Sequence, residues 1–253
     1  MPRYFLHIAY DGTDFDGWQS QPGGKTVQDE INKALCTAIR TDHLETTGCG
    51  RTDAGVHASS FYLHCDLPQI IEDKARLLRS LNGILPSSIA CFDVIAVHDS
   101  AHARFDATCR KYRYRIHQRK DPFLGKYSAQ FLYNLDIDKM NDACVLLKEQ
   151  QDFSAFQKSG SDNGTSICHL YQAEWLRKNA VEVEFVIAAD RFLRNMVRSI
   201  VGTMLDVGRG KTDLKEFQRI MESGSRSESG SSVPACGLFL YEVQYPYISP
   251  ENK

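Results

Sequence analysis

Arg3-Tyr-Phe-Leu-His-Ile-Ala-Tyr10, ended at once by Asp11-Gly12, decides the reading of the fold. Tyr4, Leu6, Ile8 and Tyr10 alternate onto one face, which predicts a half-buried strand that the Asp-Gly pair terminates. Thr26-Val-Gln-Asp29 is a helix-capping signal, and Val27, Ile31, Leu35 and Ile39 follow it as a helical stripe. Strands are predicted at Glu45–Cys49 and Ser59–Leu67 around the glycine-rich turn Gly50–Gly55. A helix at Glu72–Asn82 and a strand at Ile89–Val97 complete the order strand-helix-strand-strand-helix-strand.

The same order recurs further on. Cys109–His117 reads as a strand, and Asp138–Glu149 as a helix with Met140, Cys144 and Leu147 on one side. His169–Arg177 and Val181–Ala189 read as strands. Phe192–Val207 is a predicted helix with the stripe Phe192, Met196, Ile200 and Met204, and Gly208 as its C-terminal cap. A short helix at Leu214–Met221 and a strand at Gly237–Gln244 close the chain. Repeated βαββαβ order predicts an α+β fold of two ferredoxin-like halves with mainly antiparallel sheets and a catalytic cleft between them. The expected halves are residues 1–103 and 104–247, with a tail at 248–253. Ser223–Ser232 is expected to be a flexible surface loop, and Gln157–Ser166 is read only as a loop.

The 253 residues are 42% hydrophobic and 25% charged, which is ordinary for a globular protein. No apolar run is long enough to span a bilayer and no signal peptide leads the chain, so the expected location is the cytoplasm. Eight cysteines lie scattered without a Cys-x-x-Cys pair, which predicts buried, reduced thiols and no metal site. A net charge of −2 does not advertise a nucleic-acid partner, so any basic surface must be local.

Four segments carry side chains capable of chemistry. Gly50-Arg-Thr-Asp-Ala-Gly-Val-His57 places Asp53 near Arg51 between glycines that permit close approach of a ligand. A positioned carboxylate beside a cation can be a nucleophile, a base or a metal ligand, but Asp in such a loop is most often part of an ordinary turn. In Cys109–His117, strand alternation puts Lys111, Arg113, Arg115 and His117 on one face and Tyr112, Tyr114 and Ile116 on the other. That suits phosphates and a splayed base, or equally a solvated basic face over core tyrosines. Arg191, Arg194 and Arg198 begin the predicted helix at Phe192, with Arg194 and Arg198 sharing a face; a solvated face is the commoner outcome. Tyr10–Gln19 holds three acids but lacks the late bidentate glutamate of a calcium loop, and reads as a structured loop with Trp18 docked.

Together these motifs resemble the tRNA pseudouridine synthase A family. The resemblance runs nearly end to end. It takes in Tyr10-Asp-Gly, Gly17-Trp-Gln, Arg51-Thr-Asp-Ala-Gly-Val-His57 and His102-Ala-Arg-Phe-Asp-Ala107. Beyond these it includes Lys111-Tyr-Arg-Tyr114, Asn195-Met-Val-Arg-Ser-Ile-Val-Gly202 and Gly237-Leu-Phe-Leu240. It implies isomerisation of uridine to pseudouridine at positions 38, 39 and 40 of the tRNA anticodon arm, without metal or cofactor, by a homodimer. It implies Asp53 as nucleophile, Tyr112 stacked on the target base, Arg198 paired with Asp53, and Arg51 assisting nucleotide flipping. His57 receives no chemical role. The segment Ser223–Pro234 departs from the family pattern, with Glu228 and Ser229 unusual there.

Two other readings compete. A tRNA-binding protein without catalysis would not need Asp53. A thiol hydrolase would use Cys49 with His57, although no third orienting group marks that pair.

Overall fold

The computed structural model describes residues 1–160 and 164–248. Part of the Gln157–Ser166 loop and nearly all of the expected tail lie outside them. The chain forms two compact units, one of Met1–Thr108 joined by the residues from Leu240 onward, the other of Cys109–Phe239. The sequence boundary at 103/104 differs from this division for a packing reason. Tyr245 Oη donates to the Ala103 carbonyl (2.6 Å) and Tyr247 Oη to Asp106 Oδ2 (2.8 Å), tying the segment around residues 102–106 to the C-terminal strand's exit.

The first unit has the order β1 (Arg3–Tyr10), α1 (Val27–Ile39), β2 (Thr47–Gly48), β3 (His57–Asp66), α2 (Lys74–Ile84) and β4 (Ile89–Val97). β1 pairs antiparallel with β3 and with β4, and β2 pairs antiparallel with β3. Thr26 caps α1 by accepting from the Asp29 amide, as its sequence signals. The second predicted strand shrinks to two residues. β1 is buried on both faces rather than one, because Phe5 meets the rings of Tyr245 and Tyr247, and His7 stacks on Tyr62 at 4.4 Å.

The second unit runs β5 (Cys109–His117), β6 (Ala129–Gln130), α3 (Ile137–Glu149), β7 (Leu170–Arg177), β8 (Glu182–Ala189), α4 (Met196–Gly208) and α5 (Leu214–Ser223), then the start of β9 (Leu238–Gln244). β8 pairs antiparallel with β5 and with β7, whereas the short β6 runs parallel to β5. The fold is thus mixed α+β with largely antiparallel pairing. One device recurs in both units. Asn82 on α2 holds the Cys91 amide and carbonyl, and Asn141 on α3 holds those of Trp175, each closing two backbone hydrogen bonds of a strand with one side chain.

Two helix limits differ from the sequence reading. α4 begins at Met196, not Phe192, because Asn195 takes a left-handed conformation (φ 66°) that no helix interior accepts. It ends one turn beyond the periodic stripe. Gly208 is its last helical residue, glycine there because a Cβ would lie 2.4 Å from Met140 Sδ, and the left-handed turn falls on Gly210 instead. All eight cysteines are unbridged and six are buried. Among the described residues no helix is long and apolar enough to cross a membrane.

The first unit carries a built-in sensitivity to acid. His64 Nδ1 accepts the Ala103 amide (3.1 Å), and burial, reinforced by Arg3 and His102, pushes its pKa down to about 4. His102 is lowered too, chiefly by burial. The unfolded chain therefore protonates first. The stability held by a neutral His64 is complete above about pH 6.5 and is lost as pH falls toward 4. Urea unfolding between pH 7 and pH 4.5 should show a fall on the order of 1–3 kcal/mol, and His64→Gln should flatten that slope.

Candidate active site

Asp53 sits in a turn that the main chain closes. The Val56 amide donates to the Asp53 carbonyl (3.1 Å), and Gly55 has φ 75°, the conformation that the third position of a type II turn requires. Arg51 is exposed at the start of the same loop, and Asp53 is partly exposed. Residues 10–18 form the seat beneath it. The Trp18 amide donates to the Thr52 carbonyl and the Gly55 amide to the Phe15 carbonyl, both at 3.2 Å, while Tyr10 Oη and Thr52 Oγ1 share a hydrogen bond of 2.9 Å. A Cβ on Gly17, whose φ is 98°, would stand 2.4 Å from the Thr52 oxygen, and one on Gly12 would stand 2.0 Å from the Val56 oxygen. Only glycine allows these approaches.

The acids of Tyr10–Gln19 build this seat. Asp11 Oδ1 accepts from the Thr13 amide and hydroxyl, and Asp16 Oδ2 from the Lys25 amide. Trp18 is docked as expected, 2% exposed and 4.2 Å from the Phe61 ring. His57, 1% exposed, braces the loop, its Nδ1 lying 3.1 Å from the Gly12 amide and 3.2 Å from Asp11 Oδ1. Cys49 is fully buried, out of reach of any substrate, which removes the thiol-hydrolase reading.

The other two expected residues belong to the second unit. Tyr112 on β5 lies opposite Ile187 of β8, 9% exposed, with Phe192 edge-on at 5.0 Å. The neighbouring Tyr114 is wholly buried and donates to the Pro234 carbonyl. The basic face of β5 is not simply open to phosphates: Arg115 and Arg113 lie 3.5 and 3.9 Å from the carboxylate of Glu184, with Lys178 also at 3.9 Å. Alternation placed His117 on that face, yet it is buried against Ser128 (3.0 Å).

Arg198 stands in the first turn of α4; Arg194 precedes the helix, so the two do not share a helical face. Arg198 Nε donates to the Val233 carbonyl (2.8 Å) and its own carbonyl accepts the Val233 amide (3.2 Å), which fixes the guanidinium's direction. Val233 directly follows the Ser/Gly-rich segment Ser223–Ser232, and there the expectation of a flexible loop fails. A Cβ on Gly202 would lie 1.9 Å from the Ser231 oxygen, and the Gly230 amide donates to Thr203 Oγ1. Arg226 binds the Ser229 and Ser232 hydroxyls, Asn195 binds Ser232, and Arg219 binds Glu228. The serines are short ligands that let the segment lie flat on α4. The unusual Glu228 and Ser229 are both bonded.

Gly17→Ala should leave the global fold in place and loosen the Asp53 turn. Exchange of the Gly55 and Val56 amides, followed by NMR, should speed by roughly an order of magnitude or more, as about 1.4 kcal/mol of lost local stability requires.

A family model described as tRNA pseudouridine synthase matches residues 143–246. Proteins named tRNA pseudouridine synthase A align along the whole chain. That of Bacteroides thetaiotaomicron is 46% identical over 257 residues, covering 100% of this chain and 95% of the relative. Those of Bacteroides fragilis and Parabacteroides distasonis are 46% and 45% identical, each covering 97% of both chains. Among solved structures, an H/ACA RNP bound to a substrate RNA containing 2'-deoxyuridine aligns loosely, with TM-score 0.34 and 14% identity, over 80% of this chain and 44% of that one. On the strength of the full-length relatives, the chain belongs to the tRNA pseudouridine synthase A family.

Proposed function

We propose that this chain isomerises uridine to pseudouridine in the anticodon stem-loop of tRNA, with Asp53 as the nucleophile. The observation that carries the reading is the seat of Asp53: a partly exposed carboxylate in a rigid turn, held by backbone contacts that only Gly12 and Gly17 permit. An ordinary surface turn needs no such clamp, whereas a nucleophile gains from fixed geometry.

A uridine within a stem must leave the stack before its glycosidic bond is accessible. Arg51, exposed beside the nucleophile, assists that flip. Asp53 attacks the nucleotide at C1′ or at C6, forming a covalent adduct that divides one hard step into two. The N1–C1′ bond breaks, the uracil turns, and C5 bonds to C1′. The bond between Asp53 and the nucleotide then breaks to return the free carboxylate, the C5 proton leaves and N1 gains one, so atoms balance and no oxidant or activated group is consumed. Tyr112 holds the detached base by stacking, and Arg198, its direction set by Val233, balances the Asp53 charge. The protein acts as a cytoplasmic homodimer that grips tRNA with both subunits.

Purified wild type and Asp53→Asn, which keeps the side-chain shape, are incubated with unmodified tRNA and pseudouridine is counted. Asp53→Asn should lose at least about 10³-fold in rate with an unchanged melting temperature. Activity retained within about tenfold of wild type would sink the mechanism.

A further inference from the structure

The charge of the chain is unevenly spread. Of its 30 Lys and Arg, 20 lie in residues 109–239, against 16 of its 32 Asp and Glu. The second unit is thus cationic while the whole is not. One segment of it also exposes large apolar side chains: Phe123 is 89% exposed and Leu132 64%, with Tyr127 and Tyr133 close by. Single exposed apolar residues need no explanation, but four within eleven positions do. Arg119, Lys120 and Lys126 are exposed in the same segment. Cations lie over the aromatic faces: Arg209 over Tyr133 at 4.0 Å, Lys126 over Tyr127 at 5.3 Å, and Arg115 over Phe239 at 4.6 Å. Beside them opens a cleft of about 260 Å³, where Lys120, Gln130 and His117 contribute to the lining.

We propose that Arg119–Tyr133 is an RNA-contact surface: unpaired bases stack on Phe123 and Tyr133, backbone phosphates meet Arg119, Lys120 and Lys126, and the cleft receives a base edge. The inference rests on the tRNA substrate of the preceding reading. It concerns a place separate from Tyr112, since the five residue-to-residue steps along β5 from Tyr112 to His117 span about 17 Å. Alternating cations and aromatic faces are what single-stranded nucleic acid requires, because every base has a face to stack and every linkage a charge. A second copy of the chain fits less well. A two-fold interface centred on this patch would set it on itself and bring like charges together. A polyanion meets no such opposition.

The test measures tRNA binding, steady-state turnover and solution mass for Lys120→Ala/Lys126→Ala, Phe123→Ala, Tyr133→Ala and Tyr133→Phe, with Lys74→Ala on α2 as a control for charge loss alone. The double lysine variant should raise KM for tRNA about tenfold or more, hold kcat within about twofold, and flatten the slope of log binding constant against log salt by roughly 1.4–1.8, the release expected from two lost phosphate contacts. Phe123→Ala and Tyr133→Ala should raise KM several-fold, and Tyr133→Phe should restore it. Variants with wild-type KM and salt slope overturn the proposal. A fall in solution mass accompanying the KM change also overturns it, by making the face a contact between copies. Wild type that forms no pseudouridine in tRNA refutes the catalytic reading instead, so the two failures are distinguishable.

Discussion

Backbone lies directly against backbone beneath Asp53, and the geometry of the loop follows from that contact. The chain at Gly12 and Gly17 approaches the carbonyls of Val56 and Thr52 more closely than any side chain would tolerate. The loop is therefore located by peptide planes, which have few soft degrees of freedom, rather than by long side chains, which have many. Tyr10, Trp18 and His57 extend the same support inward to the strands. A carboxylate meant to attack one carbon atom benefits from such a base, because a displacement of about 1 Å costs orders of magnitude in rate.

The second unit solves the same problem with the same material. Arg198 is aimed by the Val233 carbonyl, and Val233 is located by a segment that touches α4 through Gly202 and Gly230. A segment that reads as low-complexity filler is in fact a strap whose small residues are its function. The electrostatic arrangement differs between faces. Around Glu184, three cations are absorbed by one buried carboxylate, while on Arg119–Tyr133 cations stand over aromatic rings at the surface.

Much of this was legible beforehand, for identifiable reasons. The order of elements showed because amphipathic periods are strong over eight residues or more, as in α1 and β8. The Thr26 cap and the docking of Trp18 showed because each is a local matter. What stayed hidden depends on contacts distant in sequence. The double-sided burial of β1 needs Tyr245 and Tyr247, about 240 positions away. The role of residues 10–18 as the seat of Asp53 needs the pairing of β1 with β3. The late start of α4 turns on a single left-handed residue, Asn195, which no periodicity reveals. Ser223–Ser232 misleads because serine and glycine are shared by flexible linkers and by tight backbone packing.

Tyr245 and Tyr247 carry one more implication, and it concerns time rather than geometry. They press on Phe5 and hold Ala103 and Asp106, so the core of the first unit is closed by side chains that follow the whole of the second in the chain. At a synthesis rate of roughly 5–20 residues per second, about 10–50 s separate Phe5 from its covering rings. During that interval β1 has its neighbours β3 and β4 but not its full burial, and the second unit is complete before the first. Nascent chains of this protein therefore expose an apolar face on β1 until Tyr245 and Tyr247 have been made.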